Sequence, residues 1–252
     1  KINNETSNLW LKNQIEELKK IPNLTIKNRT SVAAFHGYNY LLARENLTDH
    51  LGAHERKGKI RQRLLKIRAK KVVIATGAIE RPLIFSNNDR PGIILSSSIK
   101  KYIDYYGVKT GESISLFTNN DSAYETAISL NKSGVKVKVI IDIRENSNSI
   151  LSQKIEKTGI KILRGYTITN TDGYKRINSI EVMKLSKDGG SVVGNKITYK
   201  CDCLGISGGW TPMVHLFTQS GGKLKFRNND NVFIPDENKT PSEQISVGSS
   251  NG

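Results

Sequence analysis

The sequence predicts an α/β protein with two nucleotide-binding domains and a small antiparallel meander. The stretch 70–82, KKVVIATGAIERP, contains the β-branched run 72–74, typical of a buried strand, followed by small residues that let a ligand come close. From Gly111 the pattern predicts strand 114–117, helix 122–132 and strand 135–141, one β-α-β unit. Ligands of open α/β sheets lie beyond the carboxyl ends of the strands, so each segment predicts a nucleotide domain.

Composition excludes some classes of function. With 252 residues, 37% of them hydrophobic, the chain can fill a core. A net charge of +16 raises the question of nucleic acid, but the cations are scattered along a chain rich in Lys, Asn and Ile, so we predict none. No apolar run is long enough to cross a bilayer and the first residues are polar, so we expect no membrane association and a cytoplasmic location.

The two cysteines are Cys201 and Cys203. Two residues apart on a predicted strand at 197–203, they are expected on one face of that strand. Their spacing is not the Cys-x-x-Cys of a redox pair, and no further cysteine completes a metal site. We predict buried, reduced thiols and no metal. His50 is interpreted as a surface or packing residue.

The remaining elements follow from periodicity and from the Gly and Pro positions. An amphipathic helix begins after Ser7 as its N-cap, with Leu11, Ile15 and Leu18 on one face. Further predicted segments are strands 24–26 and 31–35, the meander 38–67, helices 97–106 and 150–157, strands 160–163, 168–185 (two strands), 232–235 and 245–248, and an irregular crossing at 204–212.

The turn of the β-α-β unit lacks the glycines of a phosphate cradle. It is TNNDSA at 118–123, where Asp121 puts negative charge at the position of a phosphate. Asp142 stands where an acid would bind ribose hydroxyls, and Asp121 or Ser122 is predicted to cap the helix. We therefore predict that this second domain no longer binds a dinucleotide in the ordinary way.

Three strings resemble a known family. VVIATGAIERPLIFSNNDRPG, SLFTNNDSAYETA and SGGWTPMVHLFTQSGGKL are similar to the α subunits of heterotetrameric sarcosine oxidases, within the two-dinucleotide-domain flavoproteins of the glutathione reductase type. The resemblance implies an α/β fold of two Rossmann-like FAD/NAD(P)-binding domains, the second inserted in the first. The first domain would comprise 1–107 and 213–252, and the second 108–212.

The family implies an amine-oxidising complex that demethylates sarcosine to glycine, with hydrogen peroxide and methylene-tetrahydrofolate as products. It implies NAD in this subunit, FAD or FMN in the assembled complex, and partner subunits that carry amine oxidation, so we predict no catalytic residue here. The chain lacks an initiator Met. We expect a fragment, inactive by itself, whose glycine-rich loop precedes Lys1 and whose folate-binding domain follows Gly252.

Candidate cofactor-binding residues are carried over by position from the family. Val32 would lie by the adenine, and Thr76, Gly77, Val247 and Gly248 near the pyrophosphate and ribose. Small residues and backbone N–H groups are what such a site needs, although a packing role is the alternative for each. Asp142 is kept outside this set.

Two other functions compete with this one. The first is a subunit of another FAD/NAD-dependent amino-acid or opine dehydrogenase complex, or a stand-alone NAD-dependent reductase; the missing Cys-x-x-Cys and the missing glycines of the second turn argue against a reductase. The second is a non-catalytic nucleotide-binding scaffold, with Trp210, Pro212 and Leu216 as an interface anchor. A Trp after two glycines is more typical of a core, which is how we interpret Trp210.

Overall fold

A computed structural model describes residues 6–240 and 243–252 of the chain. The helices are α1 (Ser7–Lys19), α2 (Ala53–Arg56), α3 (Ser96–Tyr106), α4 (Ser122–Lys132), α5 (Ile150–Glu156) and α6 (His215–Gln219). The strands are β1 (Thr30–His36), β2 (Tyr40–Asn46), β3 (Gln62–Arg68), β4 (Val72–Ile74), β5 (Ala78–Glu80), β6 (Ile93–Leu95), β7 (Ser113–Thr118), β8 (Lys136–Asp142), β9 (Ile162–Arg164), β10 (Tyr166–Asp172), β11 (Ser179–Leu185), β12 (Val192–Lys200), β13 (Cys203–Ser207), β14 (Trp210–Pro212), β15 (Leu224–Arg227), β16 (Val232–Pro235) and β17 (Gln244–Ser246). No helix in these ranges is long and apolar enough to cross a membrane.

The chain divides into two compact units. Unit 1 holds the described residues of 6–75, 214–225 and 235–247, and unit 2 holds 76–213, 226–234 and 248–252. The contacts therefore change from one unit to the other after Ala75, whereas the sequence places the first domain boundary at 107/108. The assignment of a dinucleotide to either unit stays a prediction.

Unit 1 contains the predicted meander, an antiparallel sheet in the order β1-β2-β3, and a parallel pair of β17 and β4. Its core is made by Phe35, Leu41, Ile74 and Phe217. Phe217 lies on α6, and the side chain of Gln219 on the same helix accepts a hydrogen bond from the backbone N–H of Phe35 at 3.1 Å. This packing fixes α6 against β1.

The start of unit 1 differs from the prediction in two places. Thr6, not Ser7, is the N-cap of α1, and its hydroxyl accepts from the N–H of Leu9 at 3.4 Å. Residues 24–27 form no strand, because a strand needs a neighbour for its N–H and C=O groups and none of the paired strands in the described chain lies along this segment. The apolar face of α1, with Leu11, Ile15 and Leu18, is exposed.

Unit 2 is organised around a five-stranded parallel sheet in the order β6-β13-β7-β8-β9. One face is covered by α3, α4 and α5, through a cluster that includes Ile99, Tyr124 and Ile155. The other face is covered by the antiparallel sheet β10-β11-β12, through Ile168, Ile180 and Val182. Both faces of the parallel strands are buried, which explains their nearly continuous apolar sequence.

The predicted strand 197–203 is two strands in two different sheets. β12 ends at Lys200, and β13 begins at Cys203, which pairs with Ile114. Between them the carboxylate of Asp202 accepts hydrogen bonds from the N–H groups of Glu112 and Ser113, at 2.8 and 2.9 Å, which hold the chain in a turn. The turn makes our expectation that Cys201 and Cys203 share a face wrong, since they lie in separate core clusters. Both thiols are buried and free, as predicted.

Candidate functional site

In unit 1, the two strands that end in small residues are neighbours. β4 and β17 run parallel, with Ile74 opposite Ser246, and the N–H of Val247 donates to the C=O of Ile74 at 2.9 Å. The side chain of Val247 is 37% exposed. Val32 lies in the other sheet of this unit, on β1 opposite Ala43 and beside a β-bulge, with 40% of its side chain exposed.

In unit 2, the structure brings three of the predicted residues close together. The hydroxyl of Thr76 donates to the C=O of Met213 at 2.8 Å, and the N–H of Met213 donates to the C=O of Gly77 at 2.9 Å. A Cβ placed on Gly77 would lie 3.9 Å from Oγ of Ser249, in the 3₁₀ turn Gly248–Ser250. Thr76, Gly77 and Gly248 therefore border one turn.

The backbone at this turn suits glycine and leaves room for a ligand. Gly77 and Gly248 have φ angles of 77° and 64°, in the left-handed region that other residues rarely adopt. A Cβ on Gly248 would meet no atom within 4 Å. Open space beside a glycine backbone is what close approach of a phosphate or ribose requires, so these residues fit the nucleotide carried over by resemblance.

A cleft of about 440 Å³ opens beside the same turn in unit 2. It lies where β7 and β13 end, at the carboxyl edge of the parallel sheet, and its walls include Arg81, Asn120, Trp210, Arg227 and Ser249. The volume falls within the roughly 300–1,000 Å³ of small-molecule sites. Trp210 is 42% exposed, which makes our prediction of a core role for it wrong.

Two glycines before Trp210 let the chain pass closely over Arg81. A Cβ on Gly208 would lie 2.6 Å from the C=O of Pro82, and one on Gly209 would lie 3.0 Å from Nη2 of Arg81. The guanidinium of Arg81 donates to the C=O groups of Asn231 and Asp230 at 2.9 and 3.2 Å. The string SGGWTP thus positions a fixed arginine at the cleft.

The turn after β7 is filled by its own side chains. Oδ1 of Asn120 accepts from the N–H of Ser122 at 3.0 Å and from the hydroxyl of Ser122, and the amide of Asn120 donates to the C=O of Ser207 at 3.2 Å. Asn120 therefore caps α4, whereas we expected Asp121 or Ser122, and Asp121 makes no capping bond. The first free amide of α4, which would bind a phosphate, already has a partner.

The acid at the end of β8 is also satisfied within the chain. Asp142 is fully buried and accepts from Arg144 at 2.9 Å (backbone N), 3.0 Å (Nε) and 2.8 Å (Nη2). It also accepts from the hydroxyl of Tyr124 at 2.6 Å. With two bonds on each oxygen, its acceptor sites are occupied. Burial, with the bond to Asp142, raises the pKa of Tyr124 to about 12, and the bond to Asp142 raises the pKa of Arg144 further above its ordinary range.

Arg144 also bridges to the second acid of this turn. Its Nη2 lies 2.7 Å from Oδ1 of Asp121, the residue whose charge seemed unfavourable for a phosphate. Sequence reasoning missed the roles of Arg81 and Arg144. An Arg two residues after Asp142, following an acid in place of the glycines, is the signal that could have revealed the second of them.

The fold places the chain in a class, the two-dinucleotide-domain FAD/NAD(P)-binding fold, as the sequence predicts. Thioredoxin reductase of T. acidophilum matches 88% of this chain and 66% of its own, with a TM-score of 0.61 and 18% identity. A bacillithiol disulfide reductase of Staphylococcus aureus matches 97% of this chain and 68% of its own, at 0.64 and 14%. L-proline dehydrogenase of P. horikoshii matches 88% and 36%, at 0.57 and 22%.

At the level of sequence, the chain resembles sarcosine oxidase α subunits, which confirms the resemblance found in the motifs. It is 36% identical over 226 residues to the protein named sarcosine oxidase subunit alpha of Corynebacterium sp. strain U-96, covering 90% of this chain and 23% of that protein. The subunit of Rhizobium meliloti strain 1021 is 33% identical over 208 residues, covering 82% and 20%. The chain thus spans about a quarter of the length of these relatives or less. No family model matches it.

Proposed function

We propose that this chain is the central, nucleotide-binding part of the α subunit of a sarcosine-oxidising complex. The observation that carries the proposal is the identity of 33–36% with proteins named sarcosine oxidase subunit alpha, over most of this chain. The complex would convert sarcosine to glycine, with hydrogen peroxide and methylene-tetrahydrofolate as products. Partner subunits and a folate-binding domain outside this chain would supply the catalytic groups.

We further propose that the parent subunit holds NAD in the domain that contains β4 and β17. Val32, Thr76, Gly77, Val247 and Gly248 are the residues assigned to it. The glycine backbone at 77 and 248 supports this assignment, because it is open and left-handed. NAD supplies an adenine, a pyrophosphate and a nicotinamide to be bound, and this chain's part is to bind and orient them.

The state of the second turn supports a single NAD in this subunit. Asn120 already caps α4, and Arg144 and Tyr124 fill the acceptor sites of Asp142. A dinucleotide bound here would have to displace these bonds and leave the buried carboxylate without its cation, which is costly. FAD or FMN would then belong to other parts of the assembled complex.

The test is the identity of the nucleotide in the native complex. The full-length parent subunit is expressed with its partner subunits, purified and denatured, and the released nucleotides are identified and counted by mass spectrometry. NAD at one equivalent per α subunit, with flavin from the other sites, is the expected result. FAD on the isolated α subunit would favour another amino-acid or opine dehydrogenase, and the absence of any nucleotide would favour a scaffold.

A further inference from the structure

The cleft of unit 2 combines a flat aromatic surface with two arginines. Trp210 exposes 42% of its surface at this wall, and Arg81 and Arg227 line the same space. The one acid among the lining residues, Asp230, pairs with Arg227, with Oδ2 2.5 Å from Nε. The cleft therefore has a net positive charge.

The aromatic and cationic groups are held in place before any ligand arrives. The indole Nε1 of Trp210 donates to the hydroxyl of Ser122 at 3.3 Å, and the backbone of Trp210 pairs with Glu80 in the β5-β14 ribbon. Arg81 is fixed by two carbonyl groups, as described above, and its Nε is buried with no partner in the described chain. Groups that are already ordered lose little entropy on binding.

We propose that this cleft binds the nicotinamide ring of NAD and the phosphate next to it. The inference rests on the proposed function, which assigns the pyrophosphate and ribose to Thr76, Gly77 and Gly248. The turn that these residues border contributes Ser249 to the wall of the cleft. The ring stacks on the indole of Trp210, and Arg227 and Arg81 bind the phosphate.

The alternative of a purely structural cleft is less consistent with the charges. A cleft that only joined strands would gain nothing from an exposed indole and a buried guanidinium N–H without a partner. An aromatic ring carried on a phosphate ester satisfies both, since the ring covers the indole and the phosphate accepts from the guanidinium groups.

The experiment measures the exchange of bound NAD for isotopically labelled NAD in the native complex, by mass spectrometry. The variants are Trp210→Leu and Arg227→Gln. Their matched controls are Tyr105→Leu, an exposed aromatic on α3, and Arg164→Gln, an arginine that pairs with Glu156. We expect about tenfold faster exchange or more for each cleft variant, close to wild-type exchange for both controls, and partial rescue by Trp210→Phe, which keeps a flat ring.

The outcomes separate this inference from the proposed function. If the wild-type complex holds NAD but both cleft variants exchange it like their controls, the nicotinamide lies elsewhere and only this inference is overturned. If the wild-type complex releases no NAD, the proposed function is overturned, and this inference with it. Should Trp210→Leu fail to fold, as judged by its melting temperature, Arg227→Gln decides, because its side chain is partly exposed.

Discussion

The guanidinium of Arg144 donates hydrogen bonds to both carboxylate oxygens of Asp142, at 3.0 and 2.8 Å. Asp142 is fully buried and sits at the end of β8, where a dinucleotide domain would keep an acid for ribose hydroxyls. Here the chain supplies the partner itself. The second domain has kept the architecture of a nucleotide site while its polar groups bind each other.

Loss of this pair should destabilise unit 2. We expect Arg144→Ala to lower the free energy of unfolding by about 2–4 kcal/mol, less than a fully buried pair would lose, because the guanidinium is 34% exposed. Lys196→Ala, which removes an exposed partner of Glu181, should cost about 1 kcal/mol or less. Urea unfolding of the full-length subunit measures both, and equal losses would contradict the role of Arg144.

Tyr124 should make stability depend on alkaline pH. Its pKa is raised to about 12 in the folded protein from an ordinary value of 10, so the folded state keeps a proton that the unfolded state loses. This contribution is fully present below about pH 10 and is lost as the pH rises to about 12. Tyr124→Phe should flatten that decline and cost about 1–3 kcal/mol at neutral pH, through the lost bond to Asp142.

Unfolding of Tyr124→Phe and wild type at neutral pH and at two values between pH 10 and 12 tests this expectation. Cys201 also titrates in this region, since burial raises the pKa of its thiol to about 11, but it does so in both proteins and cancels in the comparison. Parallel declines in the two proteins would show that Tyr124 is not the group responsible.

The two thiols should be unreactive while the protein is folded. Both are buried, and burial raises the pKa of each, so little thiolate exists at pH 8. We expect no alkylation of Cys201 or Cys203 by iodoacetamide in the native subunit and full alkylation in urea, read by peptide mass mapping. Native labelling at the unfolded rate would mean that the turn at Asp202 opens readily.

Gly208 should tolerate no side chain. An added Cβ would lie 2.6 Å from the C=O of Pro82 and 3.0 Å from the C=O of Arg81, both backbone atoms that cannot turn aside. We expect Gly208→Ala to cost about 2 kcal/mol or more. Gly190→Ala is the control, since its Cβ would meet only the Asp188 side chain at 3.5 Å. Melting temperatures of the two variants decide, and a Gly208→Ala protein as stable as the control would exclude the close crossing.

A negative charge at Val247 should weaken the proposed NAD site. Val247→Asp places a carboxylate beside the residues assigned to the pyrophosphate, and like charges repel. We expect the NAD content of the purified complex to fall at least about tenfold. Val193→Asp introduces the same charge at a similarly exposed valine on β12 and should retain NAD. Equal NAD content in both would remove Val247 from the site.

Local patterns predicted the elements that depend on local sequence. The β-α-β unit and the meander follow from alternation and from glycines such as Gly107, which ends α3 with a φ of 64°. The strand predicted at 197–203 fails because long-range bonds from Asp202 to Glu112 and Ser113 turn the chain there. The exposure of Trp210 and the role of Arg144 likewise depend on residues distant in sequence, so no local pattern contains them.

The pairing of β4 with β17 has a consequence for the order of folding. It joins residues from the first third of the chain to residues near its end, so this contact forms late in synthesis. The sheet β6-β13-β7-β8-β9 draws all its strands from the intervening residues and can assemble first. Once folded, that segment brings the ends of a long loop closer together and lowers the entropy cost of closing it. Newly made chains should therefore resist proteolysis in unit 2 before they do so at β4.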